Sequence, residues 1–305
     1  MSIANMQAGA VAIALVVFTY ASPAPAQTPL EKPQPKEVRL LISHPPGGGY
    51  DAYARLLARH LGAHLPETPT VIPQNMPGAG GLVMADYMFS SAARDGSVIA
   101  LGPGSIATAA LLKVSGARYD AQRFTWLGSL NADVGIAVSW RTSKVKRASD
   151  LFSRVLIVGG AGSSDQSVVY PNALDKILGT RFKVIPGYRG SAAIALALER
   201  GEVMGVGGWN YSSVVAAHSN WLKDGKLNLL LQFAIHPHPA LTDVPTVFQL
   251  AHNDRERSVL KLVFSPSEMG RAVFAPPGIP PKARKLLPAF DLRRKQHLGS
   301  RLNRG

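Results

Sequence analysis

Residues 38–61, VRLLISHPPGGGYDAYARLLARHL, contain an apolar run, a glycine-rich turn and an amphipathic segment in direct succession. VRLLIS has the length of a β-strand, and Gly47-Gly48-Gly49 ends it. Apolar residues then recur at helical spacing from Ala54 through Leu57 to Leu61. A helix that starts at a glycine turn offers free backbone N–H groups, which favour an anion.

The same order of strand, glycine-containing turn and helix occurs twice more before residue 113. The stretches QNMPGAGG (74–81) and ARDGSVIALG (93–102) carry the second and third units. A similar group follows between residues 136 and 234. This alternation predicts βαβ units around mostly parallel sheets, with ligands beyond the carboxyl ends of the strands. The proline-rich segment 236–246, HPHPALTDVPT, is predicted to cross between two lobes.

Composition describes a globular chain with an excess of positive charge. The 305 residues are 46% hydrophobic and 17% charged, and cysteine is absent, which excludes disulfides and thiolate sites. The formal net charge is +14, and half of it comes from the last 24 residues, which hold eight basic residues and one acidic residue. The rest of the chain has no RNA-reading motif, so no nucleic-acid partner is expected, and its charge attracts small anions.

The first 26 residues are predicted to be a signal peptide. An apolar run covers residues 8–21, and Ala24-Pro25-Ala26 supplies the small residues of a cleavage site before Gln27. No lysine or arginine precedes the run, which is unusual for a signal peptide. The predicted location is the periplasm.

Motifs for catalysis, cofactors and metals are absent or incomplete. The glycine turns lack the patterns of a Walker loop and of a dinucleotide site, and close backbone packing is the alternative explanation for them. Ser143 and Lys146 match S-x-x-K only as a common tetrapeptide, and there is no G-x-S-x-G elbow. The pairs His60/His64 and His236/His238 have no third ligand nearby. We therefore expect no catalytic residue, no cofactor and no metal.

Together with four later stretches, the glycine turns resemble the tripartite tricarboxylate transporter substrate-binding proteins, or Bug receptors. The four stretches are FTWLGSLNADVGIAV (124–138), GYRGSAAIALALERGEV (187–203), GGWNYSS (207–213) and EMGRAVFAPPGIP (268–280). The resemblance covers roughly residues 36–290. It implies an α/β, two-lobed, periplasmic-binding-protein-like (type II) fold with a ligand cleft between the lobes. It also implies a monomeric receptor, not an enzyme, that captures a small carboxylate and delivers it to a membrane permease of one large and one small subunit.

The resemblance assigns lobes and ligand contacts to this chain. Lobe 1 is expected at 36–132 plus 245–305, and lobe 2 at 133–244. Two loops of lobe 1 are expected to hold a carboxylate through backbone groups and ordered water, with Asp51 as helix cap and loop organiser. Selectivity is expected from lobe 2, although Tyr188 and Trp209 could instead be core aromatics. The expected substrate-binding residues are Gly48, Gly49, Tyr50, Asp51, Gly78, Ala79, Gly80, Gly81, Ser105, Ser163, Ser164, Asp165, Tyr188 and Trp209.

Departures from the family pattern leave alternatives open. Ala193 and Met204 stand where relatives tend to carry acids, which predicts altered selectivity. The basic segment 292–305, LRRKQHLGSRLNRG, lacks helical periodicity and indicates a frame change or truncation. The alternatives are a degraded or truncated receptor gene without transport function, an α/β enzyme acting on an anionic substrate, and a nucleic-acid or membrane-surface binder that uses the basic tail.

Overall fold

The computed structural model describes residues 35–131 and 133–287, and this part contains ten strands and eight α-helices. The predicted signal peptide (1–26) and the basic segment 292–305 lie outside the described residues. The strands are β1 Glu37–Ile42, β2 Thr70–Asn75, β3 Val98–Pro103, β4 Thr125–Ser129, β5 Gly135–Trp140, β6 Leu156–Gly160, β7 Phe182–Pro186, β8 Gly205–Asn210, β9 Leu227–Phe233 and β10 Arg271–Ala275. The helices are α1 Gly49–Leu61, α2 Leu82–Ser90, α3 Ile106–Ala109, α4 Gln166–Leu178, α5 Ser191–Glu199, α6 Tyr211–Lys223, α7 Asp254–Phe264 and α8 Pro281–Leu286.

The strands form two five-stranded sheets. The first sheet has the order β2-β1-β3-β10-β4, and the second has the order β7-β6-β8-β5-β9. In each sheet four strands run in the same direction, and the fifth, β10 in the first sheet and β5 in the second, runs antiparallel to both of its neighbours. The expectation of mostly parallel sheets is therefore correct in strand direction, and the single antiparallel strand of each sheet departs from it. The α/β, two-lobed, type II fold is confirmed.

Alternating side chains of β1 explain why helices cover both faces of the first sheet. Leu40 and Ile42 are fully buried on the face that packs against Ala54 of α1. Leu41 points to the opposite face and lies in the cluster that contains Met84 of α2. A strand buried on both faces needs this continuous apolar sequence, and the strand-end loops are thereby fixed between two helix layers.

The chain crosses between the sheets at two places in the described residues, from β4 to β5 and from α7 to β10. The proline-rich segment 236–246, which was expected to cross, instead stays with the second sheet. The buried side chain of Gln232 donates hydrogen bonds to the carbonyl oxygens of Leu241 (3.0 Å) and Val244 (2.6 Å). These bonds hold an irregular segment against β9.

Residues after this segment also belong to the second core. Val247, Leu260 and Phe264 are fully buried in the cluster of the second sheet. The predicted assignment of 245–305 to lobe 1 therefore does not fit residues 247–264. The lobe boundaries remain a prediction. The packing of α7 favours a revised boundary, with the second crossing near residues 265–270. Within residues 35–131 and 133–287, no helix is both long and apolar enough to span a membrane.

Candidate functional site

Four helices from both sheets begin around one small buried pocket. Its volume is about 30 Å³, and Gly49 of α1, Ser167 of α4, Ser191 of α5 and Ser213 of α6 line it. Each of these residues lies among the first three of its helix. Since the positive end of a helix dipole is its N-terminus, four such ends aimed at one point favour negative charge.

Three of these helix starts lack a cap from their own N-cap residue. Gly48 precedes α1, Gly190 precedes α5 and Asn210 precedes α6, and none of them supplies a capping hydrogen bond. At α4, by contrast, the Asp165 side chain accepts a hydrogen bond from the amide of Ser167. The first two amides of α6 donate instead to the carbonyl oxygen of Val134 (2.9 Å) and to Oδ1 of Asp133 (3.2 Å). The first backbone N–H groups of α1 and α5, and the third of α6, have no partner within their own helix and can bind an anion.

Gly49 allows α1 of the first lobe to approach α6 of the second. A Cβ at this position would lie 2.0 Å from Oγ of Ser213 and 2.9 Å from Nη2 of Arg271. Neither distance is compatible with a real side chain. Glycine at position 49 is therefore required for this contact between the lobes.

A buried arginine lies directly behind the starts of α1 and α6. Arg271 is fully buried, and its Nη1 donates to Oδ2 of Asp133 (2.5 Å) and to Oγ of Ser212 (2.7 Å). Its Nη2 donates to Oγ of Ser213 (2.7 Å), and the guanidinium stacks 4.0 Å from the ring centre of Tyr53. Its Nε has no partner among the described residues. The cation thus stays paired while lying next to the pocket.

A hydrogen bond between His44 and Asp165 joins the two lobes at the edge of the pocket. Nε2 of His44 donates to Oδ2 of Asp165 (3.0 Å), and its Nδ1 lies 2.7 Å from Oγ of Ser43. The His44 ring also stacks on Tyr50, with 4.2 Å between ring centres. Burial alone would raise the pKa of Asp165, but hydrogen bonds from His44 and Ser167 outweigh it and hold the pKa below its ordinary value. Burial raises the pKa of Tyr50 to about 12.

The second glycine turn of lobe 1 touches the loop after β6. Oγ of Ser164, a buried side chain, donates to the carbonyl oxygen of Ala79. Gly80 has φ +68°, and a Cβ there would lie 2.3 Å from the amide nitrogen of Asp165. The turn at 78–81 and the loop at 162–165 are therefore in backbone contact.

Asp51 organises the first glycine turn. Its carboxylate accepts hydrogen bonds from the amide of Gly47 (3.0 Å), from Nε of Arg55 (2.9 Å) and from Nδ2 of Asn75 (2.9 Å). Burial raises its pKa, but these bonds outweigh burial and lower it overall. The N-cap residue of α1 is Gly48, so the expected capping role of Asp51 is wrong, since its carboxylate bonds to the turn before the helix.

Two larger cavities flank the pocket. The first, here called the loop cavity, has a volume of about 500 Å³ and lies between the glycine loops of both lobes. The second, here called the helix groove, has a volume of about 320 Å³ and lies between α5 and α6. The loop cavity is lined by Ser43, His44, Pro45, Pro46, Pro77, Gly78, Ala79, Gly80, Ala161, Gly162, Asp165, Gly187, Tyr188, Arg189 and Gly190. The helix groove is lined by Gly47, Gly48, Gly49, Ser191, Ala192, Ala195, Leu196, Glu199, Trp209, Ser213, Ala217 and His218.

Comparison with known proteins identifies the family. The sequence profile described as "Tripartite tricarboxylate transporter family receptor" matches residues 53–293, which is more than half of the chain. The chain belongs to this receptor family. A search of curated protein sequences gave no match.

Solved structures share the fold of this receptor. MatC from Rhodopseudomonas palustris with bound malate is 24% identical, with a TM-score of 0.63 over 82% of this chain and 81% of that one. An R. palustris protein solved with adipate is 22% identical, with a TM-score of 0.63 over 82% and 80% of the two chains. The periplasmic binding protein BugD is 21% identical, with a TM-score of 0.65 over 82% and 80%.

The structure brings most of the expected site residues of the receptor to these cavities. Gly49, Tyr50, Asp165 and Trp209 line the pocket. Gly78, Ala79, Gly80 and Tyr188 line the loop cavity, and Gly48 lines the helix groove. Ser164 contributes through its bond to Ala79.

Four expected residues lie elsewhere. Asp51 holds the first glycine turn, and Gly81, the last residue of the second turn, packs against Ser43, Pro103 and Ile106. Ser105 and Ser163 line none of the three cavities, and Ser163 is exposed. Binding roles for all fourteen expected residues remain predictions.

Sequence reasoning missed several residues of the receptor site. His44 lies two residues after the end of β1, where the strand-end rule could have found it. Ser191 and Ser213 open helices, but serine is common at any helix start. The signal for Arg271 was a charged residue at the start of an otherwise apolar strand. No group of three or more metal-ligating side chains occurs in residues 35–131 and 133–287.

Proposed function

We propose that this receptor captures a small carboxylate at the pocket between its lobes and delivers it to the membrane permease of a tripartite tricarboxylate transporter. The carboxylate is held by the backbone N–H groups at the starts of α1, α5 and α6, with the hydroxyls of Ser191 and Ser213 beside them. The observation that carries the proposal is the convergence of three helix starts on one pocket, where α1, α5 and the Ser213 amide of α6 offer N–H groups without a partner in their own helix.

The pocket can bind an anion without a basic side chain that pairs with it. Arg271 is paired with Asp133, and the His44 ring is hydrogen-bonded to Asp165, so neither side chain is free to form an ion pair with a ligand. Backbone N–H groups then supply the binding, and a hydrogen bond to a charged group contributes about 1.5–3 kcal/mol. Two similar structures were solved with malate and adipate, which supports a carboxylate as the ligand class.

The expected site divides between the lobes. Lobe 1 supplies the turns at 47–51 and 78–81, and lobe 2 supplies Asp165, Tyr188 and Trp209. We place lobe 2 at about 133–264 on the packing of α7, and lobe 1 at the remaining described residues. Capture closes the lobes about the two crossings.

The proposal includes a cellular setting, which the family supports. The receptor acts in the periplasm after removal of residues 1–26, works as a monomer, and performs no covalent chemistry. The neighbour BugD, a periplasmic binding protein, supports this location. If the gene is a degraded receptor gene, the chain should not unfold cooperatively. If the protein is an α/β enzyme, it should turn over an anionic substrate.

Titration calorimetry with the full chain tests the proposal. Malate and adipate are compared with their uncharged diamides, together with a thermal-shift measurement. Carboxylates are expected to bind and to stabilise the fold by about 2.7 kcal/mol at a hundredfold excess over Kd, while the diamides do not bind. Equal binding of the diamides, or no carboxylate binding by a cooperatively folded chain, would contradict the proposal.

A further inference from the structure

The helix groove is continuous with the proposed carboxylate site. Gly49, Ser191, Trp209 and Ser213 line both the buried pocket and the groove. A ligand whose carboxylate lies at the helix starts can therefore extend its remaining atoms between α5 and α6. The groove volume of about 320 Å³ lies within the range of small-molecule sites.

The walls of the groove are apolar and made largely of small side chains. The sequence of α5, SAAIALALE, is apolar around nearly its whole circumference, yet Ala192 and Leu196 remain exposed on the stripe that faces the groove. The relative exposure of Leu196 is 52%. Ala195 and Ala217 leave space where larger residues would fill it. A helix of this composition normally buries that stripe, so the groove has the character of an apolar binding surface.

Trp209, which lines both the groove and the pocket, carries a buried polar atom that has no partner in the described part of the chain. Trp209 is 4% exposed, and its Nε1 has no hydrogen-bond partner among the described residues. A buried N–H without a partner costs about 1–3 kcal/mol. A carboxylate oxygen beside this atom would accept its hydrogen bond. The indole ring meanwhile forms part of the apolar lining.

The charges of the groove disfavour a second carboxylate. None of its twelve lining residues is lysine or arginine, and Glu199 lies at its far end. Ser191 and Glu199 open and close α5, which separates them by about 12 Å along the helix axis. His218 stacks on Trp221 at 4.1 Å, and burial lowers its pKa, so the ring is neutral near pH 7. A dicarboxylate extended along the groove would bring its second charge towards Glu199.

We propose that this receptor takes an amphipathic monocarboxylate, with its carboxylate at the starts of α1, α5 and α6 and an alkyl or aryl body in the helix groove. The proposal rests on the proposed function and specifies its substrate class. It separates this chain from the two similar structures solved with malate and adipate, which are both dicarboxylates.

A matched pair of ligands tests the inference. Hexanoate and adipate have the same six-carbon chain and differ only in the second carboxylate. Calorimetry with the full chain is expected to give a Kd for hexanoate at least tenfold lower than for adipate. Tighter or equal binding of adipate would overturn the monocarboxylate inference but leave the proposed function intact. Binding of neither acid, nor of malate, by a folded chain would contradict both.

Variants at two neighbouring alanines of α6 test whether the alkyl body of the ligand lies in the helix groove. Ala217 is exposed and lines the groove, whereas Ala216 is exposed and does not line it. Ala217→Phe fills the groove and is expected to weaken hexanoate binding at least tenfold, while Ala216→Phe leaves it unchanged. Circular dichroism checks that both variants fold. Unchanged hexanoate affinity in Ala217→Phe would overturn the inference and leave the groove as a surface for another partner.

Glu199→Gln gives an independent check that does not depend on filling the groove. Removal of this charge is expected to lower the Kd for adipate several-fold relative to the Kd for hexanoate. An unchanged ratio of the two affinities would contradict the proposed orientation of the ligand along α5.

Discussion

Nη1 of Arg271 lies 2.5 Å from Oδ2 of Asp133, and this buried ion pair joins the two places where the chain crosses between its sheets. Asp133 precedes β5, and Arg271 is the first residue of β10. The same guanidinium contacts Ser212 and Ser213 at the start of α6. The hinge of the molecule is therefore bonded directly to one of the helix starts that form the pocket.

Asp133→Asn is expected to lower the free energy of unfolding by about 3 kcal/mol, because it leaves the buried cation of Arg271 without a counter-charge. Urea unfolding measures the change. Asp254→Asn is the control, since its pair with Arg257 spans 4.0 Å at the surface, and little change is expected. Similar unfolding midpoints for the two variants would show that the buried pair does not stabilise the hinge.

Gly49→Ala is expected to hold the lobes apart, because its Cβ would overlap Oγ of Ser213. Small-angle scattering should show a larger radius of gyration, and the melting temperature should fall. Gly48→Ala is the matched control, since a Cβ there meets only Oγ of Ser191 at 3.3 Å. A radius of gyration equal to that of the parent chain would mean that α1 and α6 can move without separating the lobes.

Ser164→Ala is expected to lower the free energy of unfolding by about 1 kcal/mol, because the carbonyl oxygen of Ala79 loses its donor across the lobes. Ser163→Ala removes the neighbouring, exposed hydroxyl and should leave stability unchanged. Chemical denaturation of both variants measures the difference. Equal effects of the two substitutions would argue against the contact between these loops.

Asp165→Asn is expected to remove an acid-sensitive part of the stability. The folded-state pKa of Asp165 is lowered, so its charge stabilises the fold above the unfolded pKa of about 3.9. That contribution is lost as the pH falls through the lower folded value. The difference in unfolding free energy between the parent chain and the variant should be largest near neutral pH and shrink below about pH 4. A difference that stays constant down to pH 2 would contradict this assignment.

The strand–turn–helix units could be predicted because their signals are local. The runs at 38–43, 69–75 and 97–102 became β1, β2 and β3, with bounds that differ by one residue or so. The glycine turns at 47–49 and 78–81 lie at the cavities as expected, because a strand end followed by a helix start fixes their place.

The structural features that could not be predicted from the sequence depend on packing between residues far apart in the chain. β4, TWLGS, was not predicted because it is a short edge strand with only Leu127 buried. The path of 236–246 depends on the buried Gln232, and a side-chain bond to distant carbonyls leaves no local pattern. The convergence of Ser191 and Ser213 likewise depends on how two helices meet α1.

The position of β10 has a consequence for how the molecule is made. This strand lies between β3 and β4, yet it comes from residues 271–275, after every strand of the second sheet. The second sheet is encoded without interruption from 135 to 233 and can therefore be completed first during synthesis. The first sheet stays divided until residue 275 has emerged, so its assembly requires a slow, long-range loop closure. For most of its synthesis, the lobe that carries the glycine turns therefore has an incomplete sheet.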